Sequence, residues 1–267
     1  MTGIKHSAKR AELGFTVAEL CILVAVLGLF LLLFQAHAGT RPVSHAARCL
    51  NNLRQLMNAW RMYSDDYSDV LVPNHFAADG TAPGWVGGWL DYGPTPDATN
   101  INYLIKPGAY GAFLGPYVKS PTFFKCPEDK SYASFGSARI PRVRSLSMNA
   151  WVGKGTQAIT AGYRIYQRIT DMVSPSPANL WVLIDEQEDS INDGWFYIDP
   201  SIYTLYDYPS ARHDRAGVIT FADGRAELHQ WRDPRTSPIV RGTMITSATS
   251  SPSNQDLTWL FARRTSH

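Results

Sequence analysis

Cysteine is scarce. The 267 residues hold three, none in a C-x-x-C pair, which excludes a disulfide-stapled small scaffold and leaves no zinc-ribbon spacing. Net charge is scarce as well. The 25 basic and 23 acidic side chains leave +2, and that excess sits in the first fourteen residues, where Lys5, Lys9 and Arg10 face only Glu12. The remainder carries 22 of each sign, so the basic footprint of a nucleic-acid binder is missing and no nucleic acid is expected as a partner. No G-x-S-x-G string places a serine as an activated nucleophile. The chain therefore reads as non-enzymatic, with no catalytic residue. Disorder is excluded too, because 45% apolar and 12% aromatic residues suffice for a packed core.

Charge disappears altogether from Leu20 to Phe34, LCILVAVLGLFLLLF. Counted from Phe15 the apolar run has twenty residues, roughly 30 Å of helix and the length expected of a transmembrane span. The basic residues ahead of it predict a cytoplasmic N-terminus and an extracytoplasmic remainder. Three readings compete. The triplet Ala36-His37-Ala38 is an A-x-A site at which a signal peptide would be removed, releasing a secreted hydrolase or similar protein. An uncut anchor would instead hold a monomeric binding module outside the membrane. Neither explains Glu19, a carboxylate at the front edge of the apolar run. Such a charge costs about 2.5–3.5 kcal/mol near the middle of an inserted helix and less near an end, so it asks for a partner.

The third reading takes the whole string KRAELGFTVAEL, which resembles the prepilin signal of type IV pilins and type II secretion pseudopilins. The resemblance implies cleavage by prepilin peptidase between Gly14 and Phe15 and N-methylation of Phe15. Glu19 then stands fifth in the mature chain, placed to neutralise the new Phe15 ammonium of its own or an adjacent subunit as helices pack. Like or related pilin subunits and the inner membrane are the implied partners, and single-pass inner-membrane placement with an extracytoplasmic head is the implied location. Here the family's mid-helix proline is missing; Pro42 beside Gly39 shifts any kink to residues 38–42.

Past Pro42 a second helical pattern begins, with Ser44 as N-cap and Ala46, Ala47, Leu50, Leu53, Leu56, Met57, Trp60 and Tyr63 at spacings of three and four. It should end in SDDYSD and lie on a sheet. Residues 70–120 are dense in Gly, Pro and Asn and read as loops, where Trp85, Trp89 and Tyr92 offer either a sugar platform or anchors into the core. NLWVLIDE fits a buried strand, and GVITFADGRAELHQW a hairpin turning at Asp223-Gly224 in a type I′ turn. The fold class expected is α+β: a long N-terminal helix, its first half transmembrane, packed on an antiparallel β-sheet head with long loops, as in pilins. The segments are a cleaved leader 1–14, a transmembrane helix 15–34, a kinked continuation with an amphipathic helix 35–63, and a head 64–267.

His213, nine residues, then Asp223-Gly224 resembles the H-X9-DG element of a large group of prepilin-like bacterial proteins, as do CLNNLRQL, FFKCPED and QDLTWLFARR. That resemblance gives a class and no task. With Asp223 and Gly224 as turn centres, His213 falls opposite Pro234, and a structural histidine bonding a loop carbonyl or Asp233 is expected. Outside the apolar run lie Cys49 and Cys126; the expectation is a bridge between them, the alternative two buried thiols. Finally DEQEDSINDG offers Asp185, Glu186, Glu188, Asp189, Asn192 and Asp193 on one loop, the oxygen-rich composition calcium takes, although the EF-hand order is not kept. No other cofactor is indicated.

Overall fold

The computed structural model describes residues 16–37, 44–74, 83–153, 162–199 and 201–266. Two compact units divide at Val43/Ser44. The first contains helix α1, Val17–His37, whose side chains are described from Val17 to Gly28. Gly14, Phe15 and the kink expected at 38–42 lie outside the described residues.

Two sequence expectations are corrected here. Among the described residues no helix is long and apolar enough to cross a membrane. The transmembrane helix, and with it single-pass inner-membrane placement, is therefore withdrawn. The long N-terminal helix packed on an antiparallel sheet is corrected too. The helix on the sheet is α2, His45–Asp66, which belongs with the head.

Helix α2 starts where Ser44 accepts a hydrogen bond from the Ala47 amide, and it ends before Tyr67. Its apolar stripe of Cys49, Leu53, Leu56, Met57, Trp60 and Tyr63 is buried. This stripe faces the central sheet at strands β8 (Ala216–Phe221) and β9 (Ala226–Gln230) and the 3₁₀ turn Pro121–Phe124. The sheet also holds β3 (Leu146–Asn149), β4 (Trp181–Asp185) and β5 (Trp195–Phe196), in the order β5-β3-β4-β8-β9. It is not purely antiparallel, since β5 runs parallel to β3.

Both faces of the sheet are covered, which is why β4 and β8 are apolar without strict alternation. Val182, Leu183 and Val218 join the α2 side. On the opposite face Trp181, Ile184, Ile219 and Phe221 pack with Leu257 and Leu260 of the helix Gln255–Phe261. A register shift between Trp181 and Ile184 redistributes β4 between the two faces. A hairpin, β1 (Tyr132–Phe135) with β2 (Ala138–Pro141), and a small sheet of β6 (Ile198–Asp199), β7 (Thr204–Leu205) and β10 (Thr249–Ser250) complete the strands.

The β8–β9 hairpin forms where expected, but its turn differs. Only Gly224 has positive φ, +91°, and Phe221 pairs back to Arg225. A longer loop closed by a left-handed glycine replaces the type I′ turn. Thr220 consequently faces Ala226, and Ala216 faces Gln230, a register one residue away from the expected one.

Candidate functional site

Four residues far apart in the chain meet under α2. Cys49 enters from the buried face of α2, and Cys126 from the chain just beyond the 3₁₀ turn Pro121–Phe124. Asp185 is the last residue of β4, and His213 stands just before β8. One ligand atom from each, two sulfurs, a carboxylate oxygen and an imidazole nitrogen, lie within 4.8 Å of one another. Cys49, Cys126 and Asp185 have no exposed surface, whereas His213 is partly exposed. Both cysteines are free thiols rather than a bridge.

Local backbone geometry sets each group. His213 and Ala216 exchange backbone hydrogen bonds around Asp214 and Arg215, whose φ values of 54° and 61° are left-handed. Two consecutive non-glycine residues in that region are held only when their surroundings enforce it. The turn brings His213 Nε2 to 3.3 Å from Cys126 Sγ. The expectation that His213 bonds a loop carbonyl or Asp233 through its ring is therefore corrected; its partner is a cysteine. Asp223 and Gly224 turn the chain at the far end of β8, so the H-X9-DG spacing measures one six-residue strand and its two turns.

Ser145 ties two of the four together. Its Oγ accepts from the Cys126 amide at 2.9 Å and donates to Asp185 Oδ1 at 2.8 Å. Arg212 Nη1 also donates to Asp185 Oδ1 at 2.8 Å, while Asp185 Oδ2 is buried with no hydrogen-bond partner. The two thiols titrate as a pair. Hydrogen bonding from Cys49, and from His213, pulls Cys126 down to about 7 against the effect of burial. Cys49 is pushed up by its bond to Cys126 and by desolvation. His213 is raised above its ordinary value, chiefly by the Cys126 hydrogen bond. An acidic thiol beside an imidazole has the makings of a nucleophile, but a sulfur with no exposed surface cannot meet a substrate. Two soft sulfurs, one imidazole and one carboxylate are ligand types that a borderline transition ion accepts.

No family model, curated protein or solved structure matches this chain.

The acidic loop is bonded extensively within the protein. Of the six candidate calcium ligands, only Asp185 falls in the converging group. Glu188 pairs with Arg212 at 2.6 Å. Asp189 accepts from the Tyr92 hydroxyl and from the amides of Arg241 and Gly242, and Asn192 and Asp193 accept from amides of their own loop. Glu186 accepts from Ser190 and is driven by burial up to about 8. The positive charge set against this loop is protein: Arg142 and Arg212 donate to its carbonyls, and buried Arg144 adds a third guanidinium.

At the N-terminus, Glu19 has a local partner that the sequence reading missed. Thr16 donates to it from both amide and hydroxyl at 2.8 Å, and the Glu19 amide returns a bond to Thr16 Oγ1 at 3.3 Å. This is a capping box, signalled in sequence by T-x-x-E ahead of an apolar run. The Thr16 amide, then its hydroxyl, hold the carboxyl below its ordinary value. The three loop aromatics divide. Trp85 is buried and donates to the Gly194 carbonyl, and Tyr92 bonds Asp189. Trp89 lines a cleft of about 740 Å³ with Trp195, Tyr197 and Tyr206.

Proposed function

We propose that this chain is a non-enzymatic pilin-like subunit, of type IV pilus or type II secretion pseudopilin kind. Prepilin peptidase cuts it between Gly14 and Phe15, Phe15 is methylated, and α1 assembles with like or related subunits into a filament that displays the Ser44–His267 unit. The observation that carries the reading is the surface of α1 directly after the G-F-T-V-A-E string. Val17, Leu20, Ile22, Leu23, Val24, Val26 and Leu27 are each more than half exposed. A helix apolar on every side needs cover, and equivalent helices of neighbouring subunits supply it. Glu19, besides capping its own helix, then meets the Phe15 amine of a neighbour as the helices pack, a charge pair strengthened by exclusion of water.

A ligand-binding head that acts as a monomer is the second reading, favoured by the aromatic cleft around Trp89. It has no need of a processed terminus. Intact-mass and terminal sequencing of the protein from its native cell separates the two. The subunit reading expects a chain that begins at N-methyl-Phe15 and is left uncut by Gly14→Val. A chain beginning at Met1 or at Gly39 would refute it.

A further inference from the structure

We infer that Cys49, Cys126, His213 and Asp185 form a closed site for a divalent transition ion of the zinc class, which fastens α2 to the sheet. The site is independent of the proposed assembly role.

Geometry carries the inference. A tetrahedral ion bound at ordinary zinc distances holds its sulfur and nitrogen ligands roughly 3.5–3.8 Å apart. The four atoms here lie within 4.8 Å of one another, and the Cys126–His213 pair at 3.3 Å. The four side chains come from four separate segments of the chain and converge on one point. The donor set of two thiolates, one imidazole and one carboxylate excludes magnesium and calcium, which take oxygen.

Two further observations set the ion above the simpler alternative of a disulfide. Asp185 Oδ2 is buried without a hydrogen-bond partner, a cost that an ion removes and a Cys49–Cys126 bond does not. A disulfide would also deprive His213 Nε2 of the thiol it now meets. The second shell is in place as well: Ser145 Oγ and Arg212 Nη1 orient Asp185 through Oδ1, which leaves Oδ2 for the ion, and Ser145 also holds the Cys126 amide. Charge balances on loading, because the doubly charged ion takes the place of the two thiol protons, which leave to solvent. With three of its ligands fully buried and all four positions taken by protein, the site has no open coordination place and is structural.

The test uses the full chain, reduced and stripped by chelator, then titrated with cobalt(II) and with zinc(II). The expected result is one ion per chain, with the sulfur-to-cobalt charge-transfer bands and intense visible bands of a tetrahedral thiolate site, displaced by zinc. In urea short of global unfolding, bound zinc should slow alkylation of the buried Cys49 and Cys126 relative to the stripped chain, while exposed Cys21 reacts in both. Ser145→Ala should weaken cobalt binding roughly 10–100-fold while leaving the bands in place, because it loosens ligands without removing one. Absence of the tetrahedral cobalt spectrum in the wild-type chain would overturn the site whether or not any variant folds. Protein isolated from its native cell with a Cys49–Cys126 disulfide and no metal would overturn it equally.

Discussion

Replacing Arg212 by Met tests whether a buried guanidinium, rather than a metal, holds the acidic loop. The Arg212 side chain is 8% exposed and lies 2.8 Å from Asp185, 2.6 Å from Glu188 and 3.9 Å from Asp129. Methionine keeps the apolar stem but takes the guanidinium from three carboxylates, two of them with no exposed side-chain surface. Breaking a buried pair from one side costs about 3–5 kcal/mol. With a urea slope of about 2 kcal/mol/M, the unfolding midpoint should fall by about 2 M. Arg235→Met is the comparison. That arginine pairs with Asp233 at 2.6 Å but is 47% exposed, and exposed pairs contribute about 0–1 kcal/mol. The Arg212 deficit should also shrink in acid. Burial pushes Asp129 up, yet Arg212 and Lys125 outweigh it and hold the carboxyl below its ordinary value. Its contribution is thus present above the unfolded value of 3.8 and lost as pH falls through the lower folded one. Urea melts of both variants at pH 7, with chelator present, decide the matter. An Arg212→Met shift no larger than that of Arg235→Met would refute the reasoning.

The processed terminus at Phe15 and the cobalt spectrum of the Cys49–Cys126–His213–Asp185 site are the second and third predictions, with their measurements given above. The fourth concerns Asp193, which burial drives up to about 6 from 3.8. The native state then holds a proton that the unfolded state has released, so stability falls as pH rises from 3.8 to 6, by about 3 kcal/mol at most. Asp193→Asn keeps an acceptor for the Trp195 amide and should flatten that slope in urea melts across the window; an unchanged slope would show that Asp193 is not its source.

Local features were legible in the sequence because local physics sets them. Ser44 caps α2, the 3–4 spacing of Leu53, Leu56, Met57 and Trp60 marks its buried face, and WVLID forms a strand buried on both sides. The hairpin was legible as to place but not register. Asp223 does not join Gly224 in the left-handed region, the Phe221 amide bonds the Arg225 carbonyl, and one residue of slip follows. The parallel pairing of β3 with β5 depends on contacts across the fold and has no local signature. Glu19 stands out in the sequence as an unpaired charge because its partner Thr16 lies inside the same G-F-T-V-A-E string, where T-x-x-E is a cap as well. The oxygen-rich run is legible in the sequence, whereas the cations set against it, Arg142, Arg144 and Arg212, come from other segments and are not. The convergence of Cys49, Cys126, Asp185 and His213 has no sequence signature for the same reason: they share no motif, and only the stacking of α2 on the sheet joins them.

The assembly claim stands or falls on what Glu19 does beyond its own helix. Both Glu19→Val and Thr16→Ala break the capping box, a loss of about 0.5–2 kcal/mol. Only Glu19→Val also strips a neighbour's Phe15 amine of its partner, a loss of about 3–5 kcal/mol where the pair is buried. In-cell crosslinking between heads is the direct measurement. If Glu19 pairs with a neighbour's amine, crosslinking falls sharply for Glu19→Val, with the chain made and cut normally, and stays near wild type for Thr16→Ala. Equal crosslinking in the two variants, or none in the wild type at native abundance, would contradict it.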